Sequence, residues 1–207
     1  SLTEKEGKPE TLFVVTRAGV LWGAGNNSQK QLKEGPQKQF DHLTMFSIPV
    51  SSASSTKKSK QTLEGLVDVC GNLAGVALAL DNKGRVFLLG NNSRPSVLPT
   101  PFVVGMIAMA THNEPMVGGI IVSQRGDRVM TFPNHPRNGG SLKPFTQLLS
   151  GEVVVQVDSG RTHVACVTSL GRVLVMGHNA HKQLGQSDTS ARVDTLVELC
   201  DSHAVMV

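Results

Sequence analysis

Six residues in the C-terminal part of the chain, His163, Cys166, His178, His181, Cys200 and His203, are of metal-binding types, and His178 and His181 stand three apart. A structural zinc site needs four converging ligands, usually at tighter paired spacings. The spread of these six argues against such a site. Cys70, Cys166 and Cys200 form no close pair, so neither a disulfide framework nor a zinc ribbon is expected. They read as buried free thiols in a reducing compartment. Arg125-Gly126-Asp127 spells an integrin-recognised tripeptide, and Asn26-Asn27-Ser28 and Asn91-Asn92-Ser93 match glycosylation acceptors. Gly23-Ala24-Gly25 lacks the third glycine and the following helix of a dinucleotide loop. His163 and Asp158 share one turn region, but no Ser or Cys can be set beside them as a nucleophile. No catalytic residue, cofactor or metal is therefore assigned. Lys57, Lys58 and Lys60 could meet phosphates or an acidic protein surface. The serines around them, and the lack of interleaved aromatics for base stacking, favour a solvated flexible linker.

The elements that would position these residues follow from composition. The chain has 207 residues, 39% hydrophobic and 17% charged, which excludes a wholly disordered polymer. Aromatics are 4% with no Tyr, whereas Val occurs 26 times and Gly 21. A core that lacks rings must be filled by β-branched aliphatics, and those favour strands. The expectation is an all-β fold rich in glycine turns. The net charge of +4 is modest for a dedicated nucleic-acid binder. No apolar run approaches the length of about 20 residues that a membrane helix needs. Residues 1–10 are polar and carry no secretory core. A soluble, intracellular protein is expected, with no choice among cytoplasm, nucleus and organelle.

Internal repetition organises the chain. Thr11 to Gly19 matches His163 to Gly171 without a gap, and the match continues through Gly25 on Gly177, Asn27 on Asn179 and Lys30-Gln31-Leu32 on Lys182-Gln183-Leu184. Middle copies run from Val76 to Asn92, through Gly84 and Gly90, and from Ile120 to Asn134. Gly19, Gly84, Gly126 and Gly171 are 65, 42 and 45 residues apart, and Asn27, Asn92, Asn134 and Asn179 keep the same intervals. Each unit reads as an apolar strand, a short polar turn with a left-handed Gly, and a second apolar strand. A single hairpin cannot bury its own faces, so the units must stack, and these intervals suit propeller blades. The tripeptide at Gly126 and the two Asn-Asn-Ser sites fall on this framework, which accounts for them as turns.

The last unit carries the most specific pattern: Val155-Gln156-Val157-Asp158-Ser159-Gly160-Arg161-Thr162-His163, then Gly177-His178-Asn179-Ala180-His181-Lys182-Gln183-Leu184-Gly185. It closely resembles the repeat of the regulator of chromosome condensation (RCC1) family, with G-x-x-H, then D-x-G, then W-G-x-N-x-x-G-Q-L-G. Ser169-Leu170-Gly171 stands for D-x-G and Lys182 for one Gly. The first unit keeps Trp22, the second Gly71 and Gly90-Asn91-Asn92, and the third has Phe132 where a Gly is expected. The resemblance implies a structural role in the blade turn for His163 and His203. It also implies a seven-bladed propeller, of which about four blades stand here.

The expected organisation is a polar segment 1–10 and a repeat domain 11–207. The hairpin units lie near 11–32, 66–92, 103–134 and 152–185, with a partial unit 197–207 and a low-complexity insertion 33–62. Pro133 to Pro144 reads as a long interblade loop. Residues 11–15 and 203–207 correspond to the same strand, so an open, partial ring or a ring completed by a second polypeptide is expected. The resemblance implies a noncatalytic protein–protein scaffold, with guanine-nucleotide exchange on a small GTPase as its sharper form. The rival is a basic subunit or assembly factor of a chromatin or RNA–protein complex. Protein partners are implied, nucleic acid is a weaker alternative, and no membrane is implied.

Overall fold

The computed structural model describes residues 11–26, 39–45, 65–71, 76–90, 96–110, 118–132, 141–185 and 192–199. They form fifteen strands and no helix, in four antiparallel meanders. The first sheet holds β1 (Thr11–Val15), β2 (Leu21–Asn26) and β3 (Gln39–Met45). The second holds β4 (Leu66–Gly71), β5 (Val76–Asp81), β6 (Val86–Gly90) and β7 (Ser96–Leu98). The third holds β8 (Val104–Met109), β9 (Gly119–Ser123), β10 (Val129–Phe132) and β11 (Lys143–Phe145). The fourth holds β12 (Val154–Ser159), β13 (His163–Thr168), β14 (Val173–His178) and β15 (Arg192–Glu198). Among the described residues no helix is long and apolar enough to cross a membrane.

The four anticipated hairpins are β1–β2, β5–β6, β9–β10 and β13–β14. Their closing glycines, Gly19, Gly84, Gly126 and Gly171, all have φ between +75° and +78° or close to it at +73°. That left-handed region costs a side-chain-bearing residue roughly 1–2 kcal/mol, so glycine is selected at the turn. Every blade also carries an outer strand that the hairpin pattern does not reveal. Gln39–Met45, inside the stretch read as an insertion, pairs with β2 and closes the first blade. Lys143–Phe145 pairs with β10, so the proline-rich stretch before it connects strands of one blade rather than two blades. Residues 197–199, read as the start of a fifth unit, end the fourth blade, with the Leu199 N–H donating to the Val173 carbonyl at 2.8 Å. These outer strands are short or polar and face solvent, so they lack the apolar run that marks the inner ones.

The third hairpin differs by one residue. In the other three, the N–H of the first turn residue donates to a carbonyl four positions on (Thr16 to Val20, Asp81 to Arg85, Thr168 to Arg172), whereas Ser123 donates to Arg128. The extra residue moves Phe132 opposite Gly119, the place held by Ala24, Leu89 and Met176 in the other blades. Phe132 is thus a core residue rather than a lost glycine, fully buried. A Cβ on Gly119 would lie 2.1 Å from its ring, so the small partner makes room for the large one.

Packing is between blades. Ala77, Ala79, Phe87 and Leu89 face Phe13, Val15 and Leu21 of the first blade. Leu78, Leu80, Val86 and Leu88 turn the other way, onto Ile107 and Met109 of the third. Ala108, Ile120, Val122 and Val129 meet Val164, Cys166, Leu174 and Met176 of the fourth. Burying each Leu, Ile, Val or Phe side chain here contributes roughly 1.5–3 kcal/mol, which is why the faces read as continuous apolar runs. Neighbouring sheets touch through the first described strand of each, β1 on β4, β4 on β8 and β8 on β12, as in blades set around one axis. Each of β4, β8 and β12 is bulged at the same place, just after Leu66, Val104 and Val154.

Candidate interaction face

One end of every blade carries its hairpin turn. The first turn residue is Thr16, Asp81, Ser123 or Thr168, a small polar residue that keeps the intervals of 65, 42 and 45 found for the glycines. In three blades its side chain accepts the N–H across the turn: Val20 to Thr16 Oγ1 at 3.2 Å, Arg85 to Asp81 Oδ1 at 2.8 Å and Arg128 to Ser123 Oγ at 3.1 Å. This is a side-chain-capped turn. The sequence carries the signal plainly, three residues before each glycine, yet chemical variety among Thr, Asp and Ser hides it from an identity search.

The turn glycines also stitch blade to blade. The carbonyls of Gly19, Gly84 and Gly126 accept from the N–H groups of Leu66, Val104 and Val154, at 3.1, 3.0 and 2.9 Å. The residues just before those donors, Gly65, Val103 and Val153, accept in turn from Asn82, Gln124 and Ser169 at 2.8 to 2.9 Å. A backbone relay therefore runs turn to strand to turn along this end. A Cβ on Gly126 would stand 2.3 Å from the Val154 carbonyl oxygen, and one on Gly19 2.5 Å from Gly65 Cα. Glycine is needed twice over, for the turn and for this close approach.

An arginine follows in three blades. Arg85 donates to the buried Asp81 carboxylate at 2.7 Å and stacks over Phe87, while Arg128 stacks over Phe102 with its guanidinium carbon 4.9 Å from the ring centre. Arg172 bridges the buried Glu152 at 2.7 Å and the half-exposed Glu198 at 3.0 Å. It thereby ties the entry, turn and outer strand of the fourth blade. Burial pushes the Glu152 carboxyl upward, but the Thr168 hydroxyl, the Leu149 N–H and Arg172 more than offset this and hold it below its ordinary value. Glu152 Oε1 and Thr168 Oγ1 are nonetheless buried without a hydrogen bond of good geometry. At the turn tips Arg17, Lys83 and Arg125 are exposed and, among the described residues, have no carboxylate partner. Val103, Leu149 and Leu170 beside them are each more than half exposed.

The opposite end holds the other framework residues. Gly25, Gly90 and Gly177 take positive φ where the second strand of each hairpin ends. His163 packs its ring on Gly160, where an added Cβ would lie 2.5 Å from Cε1, and its Nδ1 is buried without a partner. Buried Asn179 accepts the Leu184 N–H at 3.1 Å, closing the loop that ends at Gly185. Lys182, standing where the repeat resemblance puts a glycine, has φ +56°. Its backbone keeps the glycine conformation even though the glycine is gone. Asn27, Asn92, Asn134, His203 and the lysines Lys57, Lys58 and Lys60 lie outside the described residues.

The described members of the metal-type set, His163, Cys166, His178 and His181, form no metal site. Among the described residues no three His, Cys, Asp or Glu side chains form a group that could hold an ion. His163 and Cys166 share β13, His181 is exposed, and Cys200 lies outside the described residues. Burial pushes the Cys166 thiol up to about 12, with the Glu152 charge adding to it. Burial, then the charge of Asp68, moves the Cys70 thiol in the same direction. Neither is a thiolate near neutrality, so neither is an activated nucleophile.

Four meandering blades stacked around an axis, with inner strands in contact, are part of a β-propeller. Comparison with solved structures specifies which kind: the fold is that of an RCC1-like β-propeller. Human WBSCR16 superposes with TM-score 0.63 and 16% identity over 92% of this chain and 50% of that one. Prp20p from Saccharomyces cerevisiae superposes with TM-score 0.65 and 13% identity over 92% of this chain and 48% of that one. Yeast RCC1 (Prp20), in its structure with Kap60 bound, gives TM-score 0.61 and 13% identity over 92% and 46%. The chain spans about half the length of these propellers. No family model and no curated protein matches it by sequence.

Proposed function

We propose that this chain is a noncatalytic, RCC1-like propeller segment that serves as a protein-interaction scaffold inside the cell. The observation that carries this reading is the hairpin-turn face. A backbone-stitched array presents exposed cations and aliphatics at its tips, while the buried Asp81, Ser123 and Glu152 below them are engaged within their own blades. Function in such folds belongs to the loops that the scaffold positions. Two of the similar structures support protein partners: Prp20p is described with its binding properties to Gsp1p and histones, and yeast RCC1 (Prp20) is seen with Kap60 bound. The sharper form is exchange of guanine nucleotide on a small GTPase, through docking of a ring face.

Two assays test the coarse and the sharp forms separately. The scaffold reading expects a stoichiometric protein complex that survives nuclease treatment. A complex that dissolves with nuclease, and direct binding to DNA or RNA that falls steeply with salt, would instead favour the chromatin or RNA–protein role. The exchange reading expects faster release of labelled nucleotide from a GTPase at saturating chain. Unchanged release across candidate GTPases removes that form and leaves the scaffold.

A further inference from the structure

The hairpin-turn end presents cations at the tips of three blades and aliphatics at the fourth tip and between blades, with Met45 and Val67 also more than half exposed. Arg17, Lys83 and Arg125 project from the turn tips of the first three blades, one in each. In the fourth blade the corresponding tip is Leu170, 54% exposed, with Leu149 at 55% in the adjoining turn. Val103, 54% exposed, lies at the junction of the second and third blades. The carboxylates of this end are engaged: Asp81 with Arg85, Glu152 and Glu198 with Arg172, and Asp127 with the Ser123 hydroxyl. Met45 and Gly65, the described residues on either side of 46–64, also lie at this end, paired with Trp22 and bonded to Asn82 respectively.

We propose that this end docks a single extended segment of a protein partner, acidic where it crosses the first three blades and apolar where it reaches the fourth. The proposal rests on the scaffold reading and adds the surface and the chemistry of what binds there. Three cations without a carboxylate partner among the described residues, one on each of three successive blades, complement a run of carboxylates, and on separate turns they repel one another little. Phosphate backbones would satisfy those cations equally well. They would have no use for Leu149, Leu170 and Val103, and among the described residues no exposed aromatic is set at the tips to stack a base. A protein segment uses both halves of the face, since arginine together with apolar side chains is the usual composition of an interface core. Preformed turns also lower the ordering cost of binding to the side chains alone.

The test uses the full 207-residue chain and fluorescence anisotropy with three labelled probes. One is a synthetic peptide of about 20 residues with a glutamate-rich half and a leucine-bearing half; the others are an oligoglutamate of equal charge and a DNA duplex. The peptide is expected to bind tightest. The triple variant Arg17→Glu, Lys83→Glu, Arg125→Glu should weaken it by about tenfold or more at low salt, less as salt rises. Leu149→Ser with Leu170→Ser should weaken the peptide about threefold or more and leave oligoglutamate unchanged. Arg125→Glu alone, at an exposed tip, gives a smaller loss in the same direction and serves if the triple variant fails to fold. Tighter binding of the duplex than of the peptide, or peptide binding indifferent to both sets of changes, overturns the proposal. If the nuclease-resistant complex described above forms equally with wild type and triple variant, this surface is wrong and the scaffold stands. If neither forms such a complex, the scaffold reading itself fails.

Discussion

The residue that most concentrates chemistry in this chain is Glu152, a carboxylate with no side-chain exposure, held by Arg172 and the Leu149 N–H. Burying a charge is tolerable only when it is paired and hydrogen-bonded, and removing one partner leaves the other uncompensated. Its carboxyl is held below the ordinary 4.5 in the folded state. A depressed carboxylate stabilises the fold above the unfolded-state value, and that contribution is lost as pH falls through the folded one. Thermal stability of the wild type is therefore expected to drop as pH is lowered below about 4.5, toward the folded-state value, through loss of this clasp among others. Glu152→Gln should cost about 2 kcal/mol at pH 7 and flatten that acid limb, measured by calorimetry across pH. An unchanged melting temperature at pH 7 would mean that the clasp adds nothing net. Nothing in the sequence marks Glu152: it stands at the very edge of its unit, and its partner Arg172 is 20 positions away.

At the scale of the element, the unit is a capped hairpin whose glycine carbonyl reaches the next blade. Gly126→Ala should destabilise by roughly 2–4 kcal/mol, because φ is +77° and the Cβ would meet a backbone oxygen at 2.3 Å. Gly151 provides the control. Its φ is +76° and nothing lies within 4 Å of an added Cβ, so Gly151→Ala should cost only about 1 kcal/mol, from the backbone alone. Chemical denaturation of the two variants separates close approach from turn strain, and equal costs would deny the stitch. The hairpins were legible in the sequence because Gly and apolar runs recur at fixed intervals. The outer strands were not: Lys143–Phe145 is three residues long, and Gln39–Met45 carries an exposed Asp41, His42 and Leu43. A strand held mainly by backbone pairing at an edge leaves no pattern of side chains to read. The one-residue difference at Ser123–Arg128 was hidden for another reason. Register is set by the turn, and the compensating pair Gly119 and Phe132 is visible only when the strands are paired.

For the whole molecule, the described blades are a partial RCC1-like propeller, and their two end faces are unequal to the internal ones. Leu12 and Val14 are 55% and 38% exposed, although they occupy the positions of Ala77 and Ala79, which are fully buried against the first blade. Ala165, Val167 and Val173, at the outward face of the fourth blade, are only half-buried. Among the described residues the metal-type side chains form no group that could hold an ion, and the lysine run lies outside them. What the fold does assemble is a turn-bearing face, to which the proposed protein contact belongs. Hydrogen exchange of the chain alone and in its nuclease-treated complex tests that most directly. New protection is expected in the peptides covering 16–20, 81–85, 123–128 and 168–172, with the loop 179–185 at the other end unchanged. Protection at 179–185 without change in the four turns would contradict the proposed contact.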